Sequence, residues 1–150
     1  FVHDRTCLSI TTSPVSQTVC AGQPAAFSVT AGGDAPTYRW RHNGIDIPDA
    51  TESTYAIPSA TPEHAGSFDV VVTNGCGSLT SDPATLTVWP TGGGDVNDDG
   101  LVDGQDVQGF VDQWLAGGPP SQAFCTADMN GDGVISDANV PLFVAALLAP

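Results

Sequence analysis

Two stretches of this chain place oxygen-bearing side chains at alternate positions. Residues 95–106 read Asp95-Val96-Asn97-Asp98-Asp99-Gly100-Leu101-Val102-Asp103-Gly104-Gln105-Asp106. Residues 128–139 read Asp128-Met129-Asn130-Gly131-Asp132-Gly133-Val134-Ile135-Ser136-Asp137-Ala138-Asn139. They are two copies of one pattern, 33 residues apart. Calcium takes about six to eight hard oxygen ligands. A loop of this length supplies them from positions one, three and five, from the carbonyl of seven, often through water at nine, and from twelve. Glycine at position six makes the sharp turn. In the first loop those ligand positions are Asp95, Asn97, Asp99, Leu101, Asp103 and Asp106; in the second they are Asp128, Asn130, Asp132, Val134, Ser136 and Asn139. The expected cofactor is therefore Ca2+ at two sites. The sites are not equal. Asp106 closes the first loop with a carboxylate, whereas Asn139 closes the second with a neutral amide, a poor bidentate ligand. The second site is expected to be the weaker.

Other chemistry finds little support. His3, His42 and His64 sit near a terminus, in a turn and at a strand corner, beside no Ser or Cys in a nucleophilic motif, and no glycine-rich phosphate loop occurs. His3-Asp4 is a remote metal-binding candidate. The acids are absorbed by the calcium pattern rather than by a carboxylate pair for acid–base work, so no catalytic residue is assigned and the chain is read as a non-enzyme. Three Arg, no Lys and 17 acidic residues give a net charge of −14. A nucleic-acid binder needs a basic footprint, so that partner class is excluded, and an anionic membrane would repel the chain. No run reaches the roughly 18 apolar residues of a membrane span, so no insertion is expected. Phe1 in place of an initiator Met reads as a processed chain or a fragment.

The elements that position these residues divide at Trp89-Pro90-Thr91-Gly92-Gly93-Gly94, where composition changes from short β-type runs to Asp/Asn/Gly loops and helical patterns. Residues 1–90 are expected to form one domain, 91–94 a glycine-rich linker and 95–150 a second domain. Each loop runs into apolar residues spaced i, i+3, i+4, i+7, i+8: Val107, Phe110, Val111, Trp114 and Leu115, then Val140, Phe143, Val144, Leu147 and Leu148. Helices of about ten residues are marginal alone, so the two stripes are expected to pack on each other. Pro141 falls in a first helical turn, where its missing N–H does no harm. Residues 95–150 hold nine acids and no Lys or Arg, so bound calcium is expected to be needed for this half to fold.

Paired loop–helix units of this kind resemble the dockerin domain, over about residues 95–149. The Asp at position twelve of the first loop, rather than the Glu of sensor proteins, fits that family. The resemblance implies docking onto a cohesin-like receptor through a helix face and residues late in each loop. Those positions are Gly104 and Gln105 in one copy and Asp137 and Ala138 in the other. They do not match, which argues against the two-fold-related binding modes of some dockerins.

The first ninety residues read as a β-sandwich. Ala26–Thr30, Thr37–Arg41, Ser53–Ile57, Ser67–Val72 and Ala84–Val88 mostly alternate apolar with polar residues, with His42-Asn43-Gly44 and Asn74-Gly75 as tight turns. Val19-x-x-Gly22, Tyr38-x-Trp40-x-x-x-Gly44 and Ala65-Gly66-Ser67-Phe68-Asp69-Val70 resemble an immunoglobulin-like domain of bacterial surface proteins. The positions of that family's inter-sheet disulfide are Val29 and Val70, and its corner tyrosine is Phe68. The core pin is thus expected to be Val29 and Val70 against Trp40.

Cys7, Cys20, Cys76 and Cys125 show no C-x-x-C spacing. An even count in a short acidic chain favours two disulfides and export from the cell. In the immunoglobulin-like topology Cys20 and Cys76 lie at opposite ends of the sandwich, too far apart to bond. The favoured pairing is Cys7–Cys76 with Cys20–Cys125, the latter joining the halves; Cys20–Cys76 with Cys7–Cys125 is the rival. The functional expectation is an extracellular, calcium-binding structural or adhesion protein at a bacterial cell surface, whose dockerin-like half assembles onto a protein partner. The alternative is a self-assembling homopolymer: a filament in which one copy's sandwich meets the next copy's dockerin-like half.

Overall fold

The computed structural model describes residues 6–116 and 121–149. His3 and Asp4 lie outside them. In chain order the elements are β1 (Ser9–Thr12), β2 (Gln17–Cys20), β3 (Ala25–Ser28), β4 (Thr30–Gly32), β5 (Thr37–His42), β6 (Ile45–Asp46) and β7 (Thr54–Ile57). A 3-10 turn at Pro62–His64 precedes β8 (Gly66–Asn74), β9 (Gly77–Thr80) and β10 (Ala84–Trp89). Three helices follow: α1 (Gly104–Ala116), α2 (Gln122–Ala127) and α3 (Val140–Leu147). Two compact units form. The first contains Ala25–Ile57, Ala65–Thr87 and the segment ending at Gln17; the second contains Thr18–Pro24, Pro58–His64 and the chain from Val88 onward.

In the first unit β10, β8, β5 and β6 lie side by side, and β9 also pairs with β8. β3 pairs with β7 and β1 with β4. The alternation seen in sequence is what makes this a sandwich: β3 buries Ala25 and Phe27, while β8 buries Phe68, Val70 and Val72. Trp40 sits fully buried opposite Val70 across the β5–β8 ladder, and Val29 is buried too. Phe27 joins this pin, its ring 4.7 Å from Phe68 and 6.3 Å from Trp40. The Trp40 indole N–H donates to the Glu52 carbonyl at 2.9 Å, satisfying its one polar atom.

The β5–β6 hairpin closes on Asn43-Gly44, both at positive φ (51° and 80°), the backbone that a two-residue hairpin turn demands. The second hairpin turns one residue later than the Asn74-Gly75 reading. Asn74 pairs with Gly77, so Gly75 and Cys76 are its loop. With Phe at the corner, no hydroxyl is available there. The corner is held by Asn43 instead: its Oδ1 accepts the Ser67 N–H at 2.9 Å, and Phe68 stacks on His42 at 4.5 Å. Cys76, at the hairpin tip, is bonded to Cys7 with their Cα atoms 5.4 Å apart.

The second unit is built around Cys20, Val96, Phe110, Phe124, Cys125, Ala127, Ile135 and Phe143. Cys20 and Cys125 form its disulfide, with Cα atoms 5.3 Å apart. The expected stripe-on-stripe packing of the two loop-following helices is met in part. Phe110 and Phe143 stack as buried rings, centroids 4.4 Å apart, and Val140 and Leu147 pack half-buried against the same core. Val107, Trp114 and Leu115 on α1, Val144 on α3 and Leu148 just after it are exposed. The added element is α2, which the sequence reading lacked. It places Phe124, Cys125 and Ala127 in the core beside Phe110 and Phe143, so the core is shared among three helices rather than built from two stripes. Ser121 starts it, its Oγ accepting the Phe124 N–H at 3.1 Å. Gly109, unusual within a helix, is explained by Val96: a Cβ at this position would lie 2.9 Å from that side chain.

Candidate metal centre

The two Asp/Asn/Gly loops fold alike at most positions. Gly100 and Gly133 at position six have φ of +88° and +83°, so only glycine makes the turn without strain. Position four is also left-handed in both, as Asp98 and Gly131. The position-one carboxylates hold the loop backbone. Asp95 accepts the N–H groups of Asp99 (3.1 Å) and Gly100 (2.9 Å), and Asp128 those of Gly131 (3.0 Å) and Gly133 (2.7 Å). Positions three and five touch: Asn97 donates to Asp99 at 3.0 Å, Asn130 to Asp132 at 2.8 Å. Asp99 and Asp132 in turn accept the N–H of position seven, Leu101 and Val134. At position nine Asp103 accepts from Gln105, and Ser136 from Ala138.

Position twelve is where the loops part. Asp106 is fully buried and accepts three backbone N–H groups, from Val96 (2.7 Å), Asn97 (3.1 Å) and Asp103 (2.8 Å). Asn139 is equally buried, but it accepts once, from the Asn130 N–H at 3.2 Å, and donates once, to the Val134 carbonyl at 2.9 Å. That donor escaped the sequence reading, which weighed Asn139 only as a ligand; its amide chemistry was the available signal. Gln23 was missed as well, having no motif to mark it. Its Nε2 donates to the Gly131 carbonyl at 3.2 Å.

The donor set fits a hard cation on two grounds. Every candidate ligand is oxygen, from carboxylate, amide, hydroxyl or carbonyl. Asp106 and Asp128 are buried carboxylates in a unit whose sequence from Val88 onward holds no Lys or Arg to neutralise them. Among the described residues no three His, Cys, Asp or Glu side chains gather into a metal-ready cluster, the loop carboxylates being turned to backbone N–H groups. The four residues marked for partner contact are all exposed: Gly104 and Gln105 begin α1, and Asp137 and Ala138 precede α3.

Comparison with known proteins matches two family models. Residues 9–74 match an immunoglobulin domain, and residues 93–143 match the dockerin type I domain. A decoration protein of Escherichia phage T5 is 44% identical over 79 residues, covering 51% of this chain and 48% of the phage protein. The muscle M-line assembly protein unc-89 of Caenorhabditis elegans is 38% identical over 81 residues, 49% of this chain and 1% of that protein. The chain thus spans about half the length of one curated relative and a small piece of the other. Among solved structures, a chimeric titin Z1Z2 carrying a KLER peptide from decorin is 25% identical with a TM-score of 0.51, over 58% of this chain and 99% of that one. The tandem Ig repeats of Dlar, 20% identical with a TM-score of 0.53 over 57% of this chain and 49% of that one, share the fold.

Proposed function

We propose, for a chain that carries an immunoglobulin domain followed by a dockerin type I domain, a calcium-dependent role in protein assembly outside the cell. Both domains are of kinds that bind proteins rather than catalyse reactions. In this reading calcium fills the loop of Asp95, Asn97, Asp99, Leu101, Asp103 and Asp106 first, and that of Asp128, Asn130, Asp132, Val134, Ser136 and Asn139 more weakly. The ion braces the second unit, which presents α1 and α3 to a cohesin-like receptor on a bacterial cell surface. The immunoglobulin domain is the body being attached; its similarity to a protein described as a decoration protein supports attachment to a surface.

The observation that carries the proposal is the duplicated loop geometry with buried carboxylates and no cationic side chain from Val88 onward. Its companion is the exposed apolar set beside the loops: Val107, Trp114 and Leu115 on α1, Leu142, Val144 and Leu148 at α3. Burying such residues suits a partner surface. Calorimetry and light scattering with and without Ca2+ test the reading. A monomer that takes up Ca2+ and then binds a cohesin supports it; no Ca2+ uptake refutes it. Long Ca2+-dependent polymers of the chain alone replace receptor docking with the homopolymer.

A further inference from the structure

We propose that the second loop is latched shut by the Asn139 side-chain amide, which does there, without an ion, the cross-linking that a cation does in the first loop. The inference rests on the calcium reading of the first loop and adds that the second keeps its shape when calcium is removed. A loop cation draws together the carbonyl of position seven and the side chain of position twelve. In the second loop those two groups are already joined, because Asn139 Nδ2 donates to the Val134 carbonyl at 2.9 Å. The other arm of the amide accepts the Asn130 N–H, so one buried side chain ties positions three, seven and twelve. Both of its polar ends are satisfied, which is the condition for burying an amide without penalty.

In the first loop Asp106 ties positions two, three, nine and twelve, but nothing ties position seven to twelve. Asp106 accepts from three backbone N–H groups and, unlike Asn139, carries no amide N–H to donate to the Leu101 carbonyl. It also faces more negative charge, since Asp95, Asp98, Asp99, Asp103 and Asp106 lie in one loop, against Asp128, Asp132 and Asp137 in the other. Gln23 adds a second amide donor to the second loop through the Gly131 carbonyl. A cation entering the second loop must displace the Asn139 N–H from Val134, a cost that adds to the loss of one negative charge in the weaker binding proposed for this loop. The calcium dependence expected of residues 95–150 as a whole is thereby narrowed to the first loop.

Hydrogen exchange followed by mass spectrometry on the full chain, in Ca2+ and in EDTA, tests this. Peptides spanning 96–106 should exchange about tenfold faster or more in EDTA, while those spanning 129–139 change by less than about twofold. Loss of protection in both loops together overturns the latch. An unchanged first loop with no calorimetric Ca2+ uptake overturns the calcium reading and the proposed contrast with it. Asn139→Asp removes the donor and keeps the shape, so protection of the second loop should become calcium-dependent; protection that persists in EDTA sinks the latch whatever calcium does. In the unaltered chain, NMR should find the Asn139 side-chain amide protons slow to exchange in EDTA. Exchange at the rate of a free amide is equally fatal.

Discussion

The two disulfides should be reduced at very different rates, although simple chain entropy values them almost equally. Cys7–Cys76 spans 69 residues and Cys20–Cys125 spans 105. Loop-closure entropy assigns each roughly 4–5 kcal/mol and separates them by only about 0.4 kcal/mol. Burial separates them far more. Cys76 is exposed at a hairpin tip and Cys7 is exposed just before β1, whereas Cys20 and Cys125 are 1% and 0% exposed among Phe110, Phe124 and Phe143. A thiolate must reach a sulfur to attack it, so the second bridge is reduced only when its surroundings open. If that opening costs about 5 kcal/mol, the low end for a stable unit, reduction is slowed roughly several thousandfold. The assay is a time course in limiting reductant with alkylation and peptide mapping. Cys7 and Cys76 should label first; Cys20 and Cys125 should lag by orders of magnitude in Ca2+. EDTA should narrow the gap, because Val96 of the first loop and Phe110 of the helix after it belong to the same core. Equal labelling of all four cysteines in Ca2+ would refute the reasoning.

Other perturbations follow from the same contacts. Asp106→Asn removes the carboxylate that closes the first loop and should weaken calcium binding by about tenfold or more, on the order of 1.4 kcal/mol by calorimetry; unchanged affinity counts against Asp106 as a ligand. Phe110→Ala deletes the stacked partner of Phe143 and should cost about 3–5 kcal/mol in denaturant titrations of the second unit, while the first unit's transition stays put. Gly66→Ala forces a Cβ to 2.5 Å from Asn43 Oδ1 at a φ of +142°, so the immunoglobulin domain should melt several degrees lower, by at least about 1 kcal/mol. The Arg41–Asp69 pair is bidentate at 2.6 and 2.8 Å and partly buried, and the hydrogen bond to Asp69 raises the Arg41 pKa above its already high ordinary value. Arg41 therefore stays charged at any working pH, and Arg41→Met should lower stability by no more than about 1–2 kcal/mol, measured by thermal melting.

What was legible in the sequence was whatever repeats or alternates. Period-two runs announced β3, β5, β8 and β10, because a half-buried strand shows its buried face directly in its residue order. Asp/Asn/Gly spacing announced both loops, since each turn needs a particular residue at a particular place. Short pieces were not legible. β6 has two residues and exists only because Asn43-Gly44 folds it back on β5. α2 has six residues, and no amphipathic period is established over so short a length. Its absence from the reading also left the expected helix packing incomplete, because an apolar stripe states that a face is apolar and not how much of it a third element will cover.

The same distinction governs the loops. Spacing identifies which twelve residues form one, but occupancy depends on which hydrogen bonds the loop already satisfies. Asp106 and Asn139 differ by one functional group and occupy the same position in twin loops, both fully buried. One gathers three N–H donors and leaves its charge to be neutralised; the other accepts one N–H and donates to Val134. An amide at position twelve is thus a substitute for part of the metal as well as a poorer ligand for it. Under the proposed function, calcium governs the first loop and the proposed docking residues that begin at Gly104, while the second loop holds those at Asp137 and Ala138 ready in either state. A partner that reads both faces would lose contacts at the first alone on chelation, so its affinity should fall in EDTA without vanishing. Complete loss of binding in EDTA, with the second loop still protected from exchange, would place the whole contact on the first loop and α1.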